Sequence, residues 1–296
     1  MGYAVTAYVL WGVLPLFWKH LQEVSGSHIL AHRIVWSIPC FLFLLYLKVG
    51  KKTFAHLTSA RPYLWSLGLS ATLVSSNWFL YLLAVNTGRV LEASLGYFMS
   101  PIVSVILGTV FLKEKLSKIQ KIALVLVILG VFQLSLLGTE FPLIAFGLAL
   151  TFSSYGLIRK TIPVEPLVAS TLETLLIAVP AFFFFIYLYG IQGFEVPHGT
   201  QMGLLAMSGA VTAIPLVFFT QAVKRLPLTT IGFIQYVCPS IQFLLAVYFY
   251  SEPFTAVHAR GFMCIWAALA LYSFELAAKM AKSSYRNQNN LRPRPV

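Results

Sequence analysis

Apolar runs long enough to cross a bilayer alternate with short polar breaks from Tyr3 to Ala278. A span needs about 20 residues, because a helical residue rises ~1.5 Å and the hydrocarbon core is ~30 Å thick. The pattern predicts ten spans, near 2–18, 28–47, 62–85, 90–112, 122–138, 143–158, 168–189, 202–223, 228–250 and 261–278. The shortest, 143–158, is marginal taken alone. The longest breaks, near 48–61 and 190–201, are too short to fold as domains. The first run begins at the initiator end and no small-residue cleavage site follows it, so a retained helix is expected rather than a removed signal peptide. The segment from Lys279 to Val296 is basic and rich in Asn and Pro, and disorder is expected there.

Composition agrees with the pattern: 58% of residues are hydrophobic and 10% charged. One soluble core has no room for so much apolar surface. The net charge of +12 would suit nucleic acid if it formed a patch, but it is spread over alternate breaks. Lys48, Lys51, Lys52 and Arg61 follow the second span; Lys113, Lys115, Lys118 and Lys121 follow the fourth. Arg159 and Lys160 follow the sixth, Lys224 and Arg225 the eighth, and the tail adds Lys279, Lys282, Arg286, Arg292 and Arg294. Only Lys19, Arg89 and Arg260 fall on the other side, and Arg33 falls inside a span. This asymmetry is the positive-inside rule, and it predicts both termini in the cytoplasm. The basic breaks also attract anionic lipid. Cys40, Cys238 and Cys264 all sit in spans without paired spacing, so no disulfide framework or metal site is expected. Aspartate is absent, which weighs against aspartyl proteolysis and carboxylate-rich metal chemistry.

The chain repeats itself. A shift of 138 residues lays Ala84-Val85 on Ala222-Val223, Phe98 on Tyr236, Pro101 on Pro239, Leu107 on Leu245, Phe111 on Phe249 and Glu114 on Glu252. A shift of 141 lays Pro39 on Pro180, Phe43 on Phe184 and Tyr46 on Tyr187. Trp11-Gly12 and Tyr155-Gly156 mark the first and sixth spans. Each half has an odd number of spans, so the second half enters the membrane upside down. Inverted repeats of this kind are the architecture of many secondary transporters, with the substrate site near the midplane between the halves. Pro101 and Pro239 lie mid-span and each removes a backbone hydrogen bond. Each is either a structural kink or a hinge that lines a wet cavity.

The stretches AYVLWGVLPLFWK, AHRIVWSIP, NWFLYLLAVNTGRVLEASLGYFMSP and FLKEKLSKIQKIALVLVILGV resemble the drug/metabolite transporter superfamily, and within it the RarD-type branch of the EamA family. The resemblance runs to about Ala278; its specific strings are Asn77-Trp78 and Leu91 to Pro101. It implies an all-α integral membrane protein of ten transmembrane helices in two inverted-topology five-helix repeats. The first EamA-type repeat is 2–138 and the second 139–278, with 279–296 as a basic cytoplasmic tail. It also implies movement of small metabolites or drugs across a bacterial inner membrane, more often outward. The halves differ where Thr230 stands at the Glu92 position and Pro215 at the Asn77 position. Ligand contacts therefore need not be two-fold symmetric.

Charges inside spans are costly and each needs a reason. His32 and Arg33 lie about one turn into the second span, and Glu92 near the outer end of the fourth. Arg33 and Glu92 sit at similar depth, so they are expected to pair across a cavity mouth; the pair is either a packing device or an outer gate and anion anchor. Glu173 occupies the repeat position of His32 and shows no basic partner within the second-half spans. An unpaired carboxylate in low dielectric favours its protonated form, which makes Glu173 the proton-coupling candidate. A neighbour from the Lys224-Arg225 break is the alternative. Glu275 is expected at the cytoplasmic boundary.

Asn77, Trp78, Ser94, Tyr97, Ser154, Tyr155, Gln235 and Tyr236 lie within spans, and Trp36 shares a helical face with Arg33. Together they suit an aromatic pocket with a few polar handles. Singly, each polar group is equally a bond between helices. Glu114 and Glu252 lie where helices turn into loops and read as caps.

The expected pathway set is therefore His32, Arg33, Trp36, Asn77, Trp78, Glu92, Ser94, Tyr97, Tyr155, Glu173, Gln235 and Tyr236, with Pro101 and Pro239 as hinges. Expected partners are a small-molecule substrate, the bilayer and, in a coupled mechanism, protons. No cofactor, metal, nucleotide or nucleic acid is expected, and a monomer or weak dimer suffices because one chain holds both halves. No Walker, HExxH or GxSxG motif is present, so the driving force is a gradient and enzymatic chemistry is not expected. Proton-coupled uptake and a non-transporting sensor or structural role stay open as alternatives to efflux.

Overall fold

The computed structural model describes residues 1–87, 89–135, 142–191, 198–249 and 256–290, and these are all helix, turn and loop. The helices are α1 (Gly2–Trp18), α2 (Gly26–Val49), α3 (Thr53–Ser59), α4 (Leu64–Asn86), α5 (Val90–Phe111) and α6 (Lys118–Ser135). They continue with α7 (Leu143–Thr161), α8 (Pro166–Ile186), α9 (Gly199–Arg225), α10 (Leu228–Gln235), α11 (Val237–Tyr248) and α12 (Ala256–Asn290). Among the described residues, eight stretches are long and apolar enough to cross a membrane. These eight stretches lie on α2, α4, α5, α6, α8, α9, α10–α11 and α12. α1, with 17 residues, and α7, which carries Arg159 and Lys160 in its last turn, stand outside that set. α12 continues past Ala278, the expected end of the last span, to Asn290.

Apolar side chains fill the interior and also cover the outside, unlike those of a soluble protein. Phe43, Val110, Phe132, Phe183 and Phe274 are exposed, while serines, threonines and charged groups lie inside. In a bilayer, hydrocarbon solvates the large apolar side chains, and the polar ones must find partners between helices. The chain folds as a multi-pass, all-α membrane protein.

Local chemistry sets the helix ends. Glu165 is the N-cap of α8: its side chain accepts from the Val168 N–H at 3.1 Å, and Pro166 opens the helix. α7 ends before Pro163 and α9 before Pro227, because the residue preceding a proline is pushed out of the helical region. The lysines in those last turns are exchanged. Lys160 donates to the Leu226 carbonyl at 2.5 Å, at the end of α9, and Lys224 donates to the Ile162 carbonyl at the end of α7. Each helix thus ends on the other's cation. Glu114 takes the first N–H groups of α10, from Leu228 at 2.7 Å and Thr229 at 2.8 Å, which is the capping role its position suggested. Glu252 lies outside the described residues.

The two prolines act differently. α5 runs unbroken through Pro101, whereas the corresponding stretch breaks at Tyr236 into α10 and α11. Pro239 has no N–H for the Gln235 carbonyl, and Tyr236 turns back to bond Phe233 at 3.4 Å.

The chain forms two compact units. The larger holds α1 to α5 and α7 to α11. Within it α1 and α2 pack on α9, α4 on α7 and α8, α5 on α7 and α10, and α2 on α8. The smaller holds α6 and α12, packed on one another. Their crossing is glycine on glycine: a Cβ on Gly130 would sit 2.7 Å from the Gly261 carbonyl oxygen, and one on Gly261 would sit 3.1 Å from that of Gly130.

Candidate functional site

Arg33 lies seven residues into α2, roughly 10 Å from its end at ~1.5 Å per residue. Its Nε donates to Thr212 Oγ1 of α9 at 3.0 Å. Its guanidinium carbon lies 5.2 Å from the ring centroid of Trp18, the last residue of α1, and 5.4 Å from that of Trp78 in α4. The Tyr97 hydroxyl of α5 and the Tyr81 hydroxyl of α4 are its electrostatic neighbours, and those two rings are 6.0 Å apart. Five helices therefore converge on one cation. The side chains are only partly buried, except Thr212, which is buried, and Tyr81, which is exposed. Among the described residues no carboxylate lies within ion-pair distance of Arg33, and no hydrogen-bond partner is found for Nη1 or Nη2. A charged side chain mid-helix in a bilayer costs about 2.5–3.5 kcal/mol on insertion scales. Two indole faces return about 0.5–2 kcal/mol each.

The expected Arg33–Glu92 pair is not formed. Glu92, in the first turn of α5, instead pairs with Arg89, the N-cap residue three positions earlier, and accepts from the Ile144 N–H at the start of α7 at 3.3 Å. Similar depth along two helices does not place side chains face to face, and Arg89 is one turn away on the same face. Ser94 is exposed. Trp36 marks the tightest crossing of α2 with α9: a Cβ on Gly209 would run into the Trp36 backbone carbonyl. That crossing places α9 so that Thr212, one turn on from Gly209, meets Arg33.

Glu173 is also placed differently. It is buried and has a basic partner, Arg159 of α7, with Nη1 to Oε1 at 3.4 Å. Ser70 of α4 donates to the same oxygen and the Tyr155 hydroxyl donates to the other at 3.2 Å. Arg159 is 1% exposed, and its Nη2 donates to the Pro166 carbonyl at 2.9 Å. Counting Arg159 with the basic breaks hid this pair. Its position gave a signal, since it lies four residues after Tyr155 on the same helical face. Glu173 is therefore not the unpaired carboxylate that was expected.

Asn77 bonds across helices, from α4 to the Leu148 carbonyl at 2.9 Å and Thr151 Oγ1 at 3.1 Å of α7. Gln235 accepts from the Tyr8 hydroxyl at 3.5 Å, and the Tyr236 hydroxyl donates to the Phe98 carbonyl at 2.8 Å. Tyr155 stacks on Phe219, with centroids 6.0 Å apart, in an aromatic core that includes Trp11 and Phe152. His32 bonds the Tyr189 hydroxyl at 2.9 Å on the π-helical turn that ends α8. Of the expected pathway set, the Arg33 cluster gathers Arg33, Trp78 and Tyr97. It adds Trp18, Tyr81 and Thr212, which the sequence reading missed. Tyr81 was findable, three residues from Trp78 on one face; Thr212 carried no signal. No group of three or more metal-ligating side chains occurs among the described residues.

A second polar junction lies at the ends of α2 and α8. Lys48 pairs with Glu165 at 2.6 Å, and Gln221 of α9 donates to the same oxygen at 3.3 Å. Burial alone would raise the Glu165 pKa, but the Lys48 ammonium and the Val168 and Leu167 N–H groups outweigh it and hold the carboxyl below its ordinary value.

The chain has close counterparts among known proteins. A family model described as the EamA-like transporter family matches residues 1–136. Protein RarD of Salmonella typhimurium (strain LT2) is 42% identical over 276 residues, covering 91% of this chain and 92% of that protein. The uncharacterized transporter YojE of Bacillus subtilis (strain 168) is 38% identical over 288 residues, 96% of each chain. A solved crystal structure superposes with a TM-score of 0.71 at 18% identity, covering 91% of this chain and 95% of its own, and so shares the fold. The helices, the in-span polar residues and these matches agree: this chain belongs to the EamA family of the drug/metabolite transporter superfamily, in its RarD branch.

Proposed function

We propose that the protein is a secondary transporter that moves small amphipathic metabolites or drugs outward across a bacterial inner membrane by alternating access. The carrying observation is the Arg33 cluster, where α1, α2, α4 and α9 bring one guanidinium, two indole faces and the Thr212 hydroxyl together, with Tyr97 of α5 and Tyr81 of α4 as electrostatic neighbours. Aromatic walls with few polar handles suit a small amphipathic ligand. The relatives described as transporters support the class of activity.

Ten spans, α1 and α7 included, in two inverted halves form part of the proposal. The packing supports it. Under the repeat α1 answers to α7, α2 to α8, α4 to α9, α5 to α10–α11, and α6 to α12. Contacts then come in matched pairs: α1 on α9 with α7 on α4, and α2 on α9 with α8 on α4. α5 on α7 likewise matches α10 and α11 on α1. Three further pairs, α2 with α8, α5 with α10 and α6 with α12, are helices packed on their own counterparts, as at a two-fold axis. The Tyr236–Phe98 bond joins residues 138 apart, which is the repeat shift itself.

Both termini lie in the cytoplasm in this reading, as the basic breaks require. The expected hinge is narrowed to the break at Tyr236 and Pro239. Untargeted metabolite profiling of medium and cytosol, in strains lacking or overproducing the protein, tests export. A compound that rises outside on overproduction and accumulates inside on deletion is the expected result. No shift in any compound contradicts constitutive export and leaves uptake or sensing. Proton-coupled uptake would then show as solute entry driven by an imposed pH gradient.

A further inference from the structure

We infer that the Arg33 cluster is a binding site for organic monoanions, a carboxylate joined to an apolar or planar body. The inference rests on reading that cluster as part of the pathway, and it names the substrate class. Four observations carry it.

The guanidinium carries a full charge, and among the described residues no carboxylate pairs with it. Arginine keeps that charge in a protein interior. Its one hydrogen bond uses Nε, on Thr212, so the two terminal nitrogens keep their donors free of partners among the described residues. A carboxylate matches such a fork with two parallel bonds, and charge-assisted bonds are roughly twice as strong as neutral ones. The buried Arg159 shows the contrast: where this fold neutralises an interior arginine, it supplies Glu173, Ser70 and Tyr155 around the pair.

The walls set the rest of the ligand. Trp18 and Trp78 present ring faces to the cation and remain partly exposed, as does Tyr97, so apolar area stays open beside the charge. One cation without a counter-charge calls for one negative charge. A dianion would leave a charge uncompensated in low dielectric, and a neutral ligand would leave the guanidinium uncompensated. The phosphodiester of an anionic lipid offers the same chemistry from another source, and the test separates the two.

The protein is purified into phosphatidylcholine nanodiscs, and its tryptophan emission is followed while ligands are titrated. The probes are benzoate, phenylacetate and octanoate, each beside its neutral amide. At least one acid is expected to bind at least about tenfold more tightly than its amide. Arg33→Gln should reduce that acid to the affinity of the amide and leave the amide unchanged, which also reports that the variant is folded. Arg33→Lys should recover part of the difference, because it restores the charge without the fork. Equal binding of every acid and its amide, or no saturable response to any acid, overturns the inference. Undiminished acid binding by Arg33→Gln does so too. Loss of acid binding on adding phosphatidylglycerol to the discs assigns the counter-charge to lipid and overturns the ligand reading. The assay needs no transport, so it stands apart from the strain profiles. An exported neutral compound whose transport ignores Arg33→Gln would end this inference and leave export intact.

Discussion

At the residue scale, the two interior arginines divide the work. Arg159 and Glu173 neutralise each other across α7 and α8, with Ser70 bonding in from α4. Removing one partner of such a pair leaves a charge without compensation, at about 3–5 kcal/mol, whereas replacing both by apolar residues is often neutral or stabilising. Glu173→Ala should therefore lower the melting temperature of the detergent-purified protein sharply. Arg159→Met combined with Glu173→Leu should recover most of the loss. Equal melting of the single variant and the wild type would show that the pair does no structural work. Which residues could be read in advance follows from the same physics. Arg33, Trp78 and Tyr97 stood out because polar and aromatic groups inside spans need partners. The identity of the partners did not, because two helices bring side chains together by rotation and crossing, which the depth of a residue does not encode. Glu92 shows this: it met Arg89, the N-cap residue of its own helix, rather than Arg33.

At the element scale, close crossings fix where the site forms. Gly209 lets α9 approach the α2 backbone at Trp36, and Thr212 follows one turn later. Gly209→Ala should force those helices apart, at about 1–3 kcal/mol for an overpacked contact. It should also weaken the Arg33–Thr212 bond. Gly203, on the same helix, has nothing within 4 Å of an added Cβ. Gly203→Ala should be neutral or gain up to about 1 kcal/mol of helix propensity. Thermal melts of the two variants check this, and equal losses would contradict the crossing. Most element positions were legible, since a bilayer imposes length and apolarity on every span. The unequal prolines were not. Both remove a hydrogen bond, yet α5 absorbs Pro101 and the later stretch breaks before Pro239. Neighbouring helices decide between those outcomes.

At the scale of the whole molecule, an inverted repeat is a device for making two states of comparable energy, open to opposite sides of the membrane. In the proposed ten-span reading the matched packing pairs supply that symmetry. The exchanged lysines and the Lys48–Glu165–Gln221 junction tie α2, α7, α8 and α9 together at the end that the basic breaks assign to the cytoplasm. A transporter must break such ties and re-form them, so the Arg33 cluster should be reachable from each side in turn. The sequence carried the repeat and the charge asymmetry, but not the ties, which depend on side chains meeting across helices.

The most direct test replaces Cys40, Cys238 and Cys264, introduces Tyr97→Cys beside Arg33, and applies a membrane-impermeant maleimide to right-side-out and to inside-out vesicles. Alternating access predicts labelling in both preparations, from the outer face in right-side-out vesicles and from the cytoplasmic face in inside-out ones. Labelling from one side only, or from neither, would contradict it.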